Sequence, residues 1–151
     1  KRFRLAVKDK EIIDRFKKYL GGFIFHDFIL KTKTSSLLAI RTDIGEQVEY
    51  IKSIRDTFLN ETDFCRGFLA GIFDAEGSFN NSLRIHNKND DLIKKISFSL
   101  SLLDIDHEIE ERAKGMKSVR VRKTENEIKF FSLTNPVLSR KKQWFYKKSI
   151  Y

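Results

Sequence analysis

The chain has 151 residues, with 30 Lys and Arg against 21 Asp and Glu, and this formal net charge of +9 favours a polyanionic partner. An apolar share of 40% excludes wholesale disorder, and a single Cys excludes both an internal disulfide and a Cys-cluster zinc site. No apolar run approaches the ~20 residues of a membrane span and no signal peptide is visible, so we expect no membrane partner and an intracellular location, in the cytoplasm or an organelle matrix.

The sequence contains an internal repeat. Segment 3–13 matches segment 83–93 without a gap, and in both copies an alternating strand pattern gives way to a helical pattern at Asp9 or Asn89. Asp and Asn both cap helix N-termini, because their side chains accept hydrogen bonds from the first free backbone N–H groups. The ungapped match favours a duplication over chance recurrence.

The hydrophobic patterns predict similar elements in the two copies. In the first copy we predict an opening strand, a helix over 10–20, hairpin strands over 23–33 and 37–41, and a helix over 46–59. In the second we predict a helix over 63–75, a short strand from Ser78, the repeated strand and helix, strands over 106–112, 118–123 and 128–133, and a helix over 137–148.

We therefore predict two domains, a partial first repeat over 1–60 and a complete second repeat over 61–151. Because Lys1 already lies in a strand-like run, the helix that should precede the first copy is expected to be missing.

Two glycines are unusual in the predicted helix 63–75. Gly67 and Gly71 share one side of this helix with Ala70 and Asp74. Each Gly costs about 1 kcal/mol in a helix interior relative to Ala, so the pair suggests that another backbone approaches closely there. Large apolar residues cover the other faces, and we expect the helix to be buried almost all round.

Two acids, Asp74 and Glu76, lie at the C-terminus of this helix, before Gly77. Carboxylates are disfavoured there because the last carbonyls already make that end negative. A hard divalent cation such as Mg²⁺ would remove the conflict. The alternative is that the acids are solvated or paired with Lys, and the spacing alone leaves both interpretations open.

The segment Leu-Ala-Gly-Ile-Phe-Asp-Ala-Glu-Gly over residues 69–77 resembles the signature of the LAGLIDADG homing endonucleases. The small residues, both acids and the closing Gly fall in register, and the order of predicted elements also fits. The resemblance covers 63–143 well and the first copy more weakly. It implies an α+β fold of the two-repeat monomeric type, with tandem αββαββα repeats whose antiparallel sheets form a DNA-binding saddle, the first repeat being incomplete.

The resemblance also implies roles for individual residues. Glu76 matches the acid that binds a divalent metal at the scissile phosphates, and Asp74 matches the acid that supports the helix end, kept here as a second catalytic candidate. Lys141, in the basic run before the last helix, is our candidate for a catalytic basic side chain, with a plain surface Lys as the alternative. In this family the helices that carry the nonapeptide, called motif helices, pack against each other through small residues. The residues that match those packing positions are Gly67, Ala70 and Gly71.

Period-two alternation assigns the faces of the predicted strands. Residues that point away from the core are predicted to contact DNA, since Arg reads guanine edges and Lys more often meets phosphates. They are Arg2, Arg4, Lys31, Lys33, Arg41, Ser82, Arg84, His86, Ser118, Arg120 and Arg122. The alternative for each is a solvated strand face, and for His86 a structural role, while Glu110 and Glu111 have no assignment.

The function that the resemblance implies is that of a site-specific homing endonuclease, such as an intron-encoded enzyme, which hydrolyses phosphodiester bonds in double-stranded DNA with Mg²⁺. Activity is expected to need a second motif helix, supplied by a missing N-terminal segment or by a second copy of the chain. The alternative is a non-catalytic binder, either an RNA maturase or a domesticated DNA-binding protein.

Overall fold

The computed structural model describes residues 1–55 and 61–148. The chain divides into two compact units, 1–57 and 58–151. Each unit combines helices with one antiparallel sheet, so the predicted α+β class is confirmed. Within the described segments, no helix is long and apolar enough to cross a membrane.

The first unit begins with a strand. Its elements are β1 (Phe3–Val7), α1 (Lys10–Tyr19), β2 (His26–Lys31), β3 (Ser36–Thr42) and α2 (Gly45–Arg55). The sheet order is β1-β3-β2, and α1 lies against β1 and β3. On that face the Phe16 ring stacks on Phe3 at 5.4 Å and meets the edge of Phe25 at 5.7 Å. The end of the helix predicted over 46–59 falls partly outside the described residues.

The second unit has a four-stranded sheet with the order β4-β5-β7-β6. Its elements are α3 (Thr62–Glu76), β4 (Gly77–Asn80), β5 (Ser82–Asn87), α4 (Asp90–Leu102), β6 (His107–Glu111), β7 (Lys117–Val121), α5 (Thr124–Thr134) and α6 (Ser139–Lys148).

The duplication is visible in strand pairing. The order β5-β7-β6 repeats the order β1-β3-β2. Arg84 lies opposite Arg120 in the second unit, as Arg4 lies opposite Arg41 in the first.

The core of the second unit lies between the sheet and the helices α3, α4 and α5. Alternate strand residues such as Leu83, Ile85 and Val119 are fully buried on one sheet face. The Phe73 ring of α3 contacts the rings of Phe130 and Phe131 of α5, each at 5.4 Å. Because one face of each strand is thus committed to the core, the opposite face carries the polar side chains.

Helix α4 begins at the predicted cap. The Asn89 side chain accepts hydrogen bonds from Asp91 N at 2.9 Å and Leu92 N at 3.1 Å. Asp9 occupies the equivalent N-cap position of α1, but its side chain makes no capping bond.

The strand predicted over 128–133 is wrong, since these residues belong to α5. Aromatic and β-branched residues in this stretch suggested a strand. The buried residues Glu127, Phe130, Phe131 and Thr134 instead follow the three- and four-residue spacing of a helix. The buried Glu127 side chain joins α5 to β5, because its Oε1 accepts a hydrogen bond from Leu83 N at 3.0 Å.

Helix α3 is not buried all round, contrary to expectation. Gly67 and Gly71 are exposed, and a Cβ built on either glycine meets nothing within 4 Å among the described residues. Leu69 and Phe73 on the opposite side are buried, and so is Ala70, although its spacing places it beside the glycines. Gly67 and Gly71 therefore form an open face in the described part of the chain.

Gly77, at the junction of α3 and β4, has no room for a side chain. A Cβ there would lie 2.2 Å from Phe73 Cδ2 and 2.5 Å from Phe73 O. We expect Gly77→Ala to lower the free energy of unfolding by about 1–3 kcal/mol, the cost of overpacking a filled site. Urea unfolding measures this loss, with Gly45→Ala as the control because a Cβ at Gly45 meets nothing within 4 Å. Equal stability of the two variants would contradict the close approach.

Candidate functional site

The C-terminus of α3 carries the two predicted acids in opposite environments. Glu76 is the last residue of the helix and is exposed, while Asp74 is only 7% exposed. No described residue forms a hydrogen bond or ion pair with the Glu76 carboxylate. Glu76 is therefore the acid that an external group can reach.

Asp74 binds the beginning of α6. Its Oδ2 accepts from Val137 N at 2.7 Å, and its Oδ1 accepts from Leu138 N at 3.1 Å. These amides lie at the positive end of the α6 dipole, where a carboxylate is stabilised. Since both oxygens of Asp74 are engaged, the side chain fixes the two helix ends together.

Lys141, from the first turn of α6, binds the end of α3 in return. Its Nζ donates to Phe73 O at 2.6 Å, Asp74 O at 2.8 Å and Gly77 O at 2.7 Å. The residue is 5% exposed, and these carbonyls take all three ammonium protons. Lys141 is therefore not the plain surface Lys of the alternative interpretation, and its role as a catalytic basic side chain stays a prediction.

The donors around Glu76 fit a hard cation only with outside ligands. The described residues contain no group of three or more His, Cys, Asp or Glu side chains that could hold a metal. Mg²⁺ commonly takes one or two carboxylates, several waters and substrate phosphates. An exposed carboxylate such as Glu76 fits that coordination, and Asp74 does not because it is occupied.

Arginines and glutamates cover the sheet face opposite the core, which we call the arginine face. Arg84 on β5 and Arg120 on β7 lie opposite each other at its centre. The face also includes Glu108 and Glu110 of β6. Glu110 forms ion pairs with Arg84 (3.1 Å), Arg112 (2.5 Å) and Arg120 (3.5 Å). Glu108 forms ion pairs with Arg120 (3.2 Å) and Arg122 (3.8 Å). With four arginines and two glutamates, this face remains positively charged.

Three smaller predicted residues share the arginine face. Ser82 and Ser118 are buried rather than open to a ligand, because longer side chains surround each of them in the sheet. His86 is half-buried, and its Nε2 lies 3.0 Å from Ser78 Oγ in a hydrogen bond. Burial, with help from Arg112 and Arg84, lowers the pKa of His86.

The predicted contacts of the first unit do not share one face. Arg4 and Arg41 are opposite each other on the sheet face away from α1, and Arg2 precedes β1 in an ion pair with Asp43. Lys31 was predicted to lie on the same sheet face as Arg4 and Arg41, but it lies on the other face, together with Ile29. Strand β2 ends at Lys31, two residues before the predicted end, so Lys33 lies in the turn, and Lys31 lies on the face of the sheet that α1 covers.

Sequence reasoning missed Glu108 and Arg112 and left Glu110 unassigned. The alternation His-Glu-Ile-Glu-Glu along β6 contained the signal for the two acids, since Glu108 and Glu110 share parity. Their pairing with arginines of β5 and β7 required the strand order, which period-two patterns do not give.

A family model described as the LAGLIDADG-like domain matches residues 63–134, which confirms the resemblance. Among curated proteins, none matches the sequence.

Solved structures share the fold. A mesophilic variant of the homing endonuclease I-DmoI has a TM-score of 0.67 at 20% identity, over 91% of this chain and 80% of that chain. I-DmoI in complex with DNA and Ca has a TM-score of 0.71 at 18% identity, over 96% of this chain and 83% of that chain. Full-length WhiA from Thermatoga maritima has a TM-score of 0.61 at 14% identity, over 94% of this chain and 50% of that chain.

The buried position of Lys141 leads to a stability prediction. Lys141→Met removes the donor from three carbonyls, and we expect it to lower the free energy of unfolding by about 3 kcal/mol. Lys142→Met is the matched control, because the Lys142 Nζ makes an exposed bond to Asn135 Oδ1 and its loss should cost below about 1 kcal/mol. Urea unfolding of both variants measures the difference. Equal small losses of stability would contradict the buried position of Lys141.

Proposed function

We propose that this chain, whose residues 63–134 match the family model of the LAGLIDADG-like domain, is an endonuclease that hydrolyses phosphodiester bonds in double-stranded DNA with a divalent cation. The observation that carries the proposal is the exposed Glu76 carboxylate in the same unit as the arginine face. A positive face binds a phosphate backbone, and a carboxylate on such a surface repels DNA unless it holds a cation.

In this proposal the arginine face binds the duplex. Arg120 on β7 and Arg122 just after this strand are both more exposed than Arg84, and they contact phosphates or base edges. Arg84 lies deeper and is held by two partners, Glu110 and Ser82. His86, with its lowered pKa, is neutral at pH 7 and adds a hydrogen-bonding group without further charge.

Glu76 would hold the cation at the scissile phosphate. When bound there, Mg²⁺ would stabilise charge on the phosphate and favour an attacking hydroxide. Asp74 and Lys141 position Glu76 by joining the end of α3 to α6. The complexes of I-DmoI with DNA and Mn or Ca lend support from a protein of the same fold.

One Glu76 is half of the acid pair that the family uses, so the proposal includes a second motif helix. The open face at Gly67 and Gly71 would pack against it, since glycines let two helix backbones approach closely. That helix comes either from a further segment of the protein or from a second copy of this chain.

The first prediction concerns Glu76. We expect Glu76→Gln to lower Mg²⁺-dependent nicking of a supercoiled plasmid library with randomised inserts by more than about a hundredfold, since the amide is a poor cation ligand. Gel electrophoresis of the nicked circles provides the measurement. Asp63→Asn is the control, because this exposed acid lies in the first turn of the same helix.

Undiminished nicking by Glu76→Gln would remove Glu76 from the site. A wild-type chain that binds duplex DNA and never nicks it, even with a second motif helix supplied, would favour the alternative of a non-catalytic binder. Tighter binding to single-stranded RNA than to duplex DNA would favour a maturase.

The second prediction concerns the open face of α3. If a second copy supplies the other motif helix, the chain sediments as a dimer and Gly71→Leu shifts it to a monomer, because the larger side chain separates the backbones. The variant should stay folded by circular dichroism, since nothing described lies within 4 Å of a Cβ at Gly71. A wild-type chain that is folded but strictly monomeric would exclude a second copy as the source of the other motif helix. A further segment of the protein would then be the remaining source.

A further inference from the structure

Glu110, on the edge strand β6, contacts three arginines of the arginine face. Its Oε2 accepts from Arg84 Nε at 3.1 Å and from Arg112 Nη2 at 2.5 Å, and its Oε1 lies 3.5 Å from Arg120 Nη1. The side chain is only 23% exposed. The hydrogen bond from Arg84 lowers the pKa of Glu110, so the carboxylate is ionised at neutral pH.

Arg84 is held from two sides. Its Nε donates to Glu110 and its Nη1 donates to Ser82 Oγ at 2.5 Å. The Arg84 side chain is 20% exposed, the least of the arginines on this face. Two of its five N–H donors are engaged in these bonds, and the other three are enough for a bidentate contact with a ligand.

A negative charge in this position weakens attraction to phosphates. A face that served only non-specific binding would be more effective without Glu108 and Glu110, since each acid offsets one arginine. A fixed guanidinium, in contrast, loses less conformational entropy when it binds and accepts a narrower set of partners. The acid therefore has a cost in affinity and a benefit in selectivity.

From this geometry we infer that Glu110 is a specificity-determining positioning residue, which orients Arg84 for bidentate reading of a guanine edge in duplex DNA. Arg84 touches the base, and Glu110 acts through Arg84 rather than on DNA itself. The inference rests on the proposed function for its ligand but not on cleavage.

The test uses binding in Ca²⁺ without turnover. A library of randomised duplexes is selected on the full wild-type chain, and discrimination is the ratio of Kd for a scrambled duplex to Kd for the selected duplex. Glu110→Gln frees Arg84 and removes a negative charge. We expect it to bind the scrambled duplex more tightly while discrimination falls about tenfold, the worth of one bidentate base contact.

The matched control is Glu111→Gln. Glu111 is the neighbouring residue of the same strand, has the opposite parity and pairs with Lys117 at 3.5 Å, so the substitution makes the same change in charge off the arginine face. We expect this variant to keep wild-type discrimination. Circular dichroism and the urea midpoint confirm that both variants fold.

A double-mutant cycle with Arg84→Ala separates action through Arg84 from direct contact. We expect Arg84→Ala to lose the selected guanine and Glu110→Gln to have no further effect on discrimination in that background. A persistent effect of Glu110→Gln would mean that its carboxylate meets a base directly, for example a cytosine amino group, and would overturn the inference.

Two other outcomes have distinct meanings. Equal discrimination by wild type, Glu110→Gln and Glu111→Gln would also overturn the inference while leaving DNA binding intact. A wild-type chain that selects no duplex at all would instead overturn the DNA-binding part of the proposed function, and the specificity role of Glu110 with it.

Discussion

The end of α3 depends on a crossed exchange of charge with α6. The Asp74 carboxylate binds backbone amides before α6, and the Lys141 ammonium binds the last carbonyls of α3. Each charge lies at the helix end whose dipole favours it, and the two side chains add hydrogen bonds to backbone groups at both helix ends. The contact also fixes the place where α3 turns into β4 at Gly77.

This exchange decides which acid is available for chemistry. Asp74 and Lys141 are buried and hydrogen-bonded to backbone groups, whereas Glu76, two residues after Asp74, is exposed on the last turn of the same helix. A rigid helix end holds its last side chain more precisely than a loop would, which suits the role proposed for Glu76. The rest of the proposed chemistry requires ligands from outside the described residues.

On the arginine face, glutamates of β6 hold the arginines of the neighbouring strands in place. Arg84 and Arg120 lie opposite each other, an arrangement that would be repulsive without the two glutamates of the neighbouring strand. Glu110 receives Arg84 and Arg112 on one oxygen and approaches Arg120 with the other. The acids stabilise the arginines against each other and hold the Arg84 guanidinium in one place, with two of its five N–H donors engaged.

The sequence by itself determined the duplication, the α+β class, the motif helix and the outward side of β5 and β7, because these follow from local periodicity and from one nonapeptide with an unusual composition. It misassigned 128–133 and the side of Lys31, where propensity and turn position were ambiguous. Only the tertiary structure showed which groups Asp74, Lys141 and Glu110 bind. Each acts on groups far away in the chain, and the sign of a charge says nothing about its partner until the fold brings the two together.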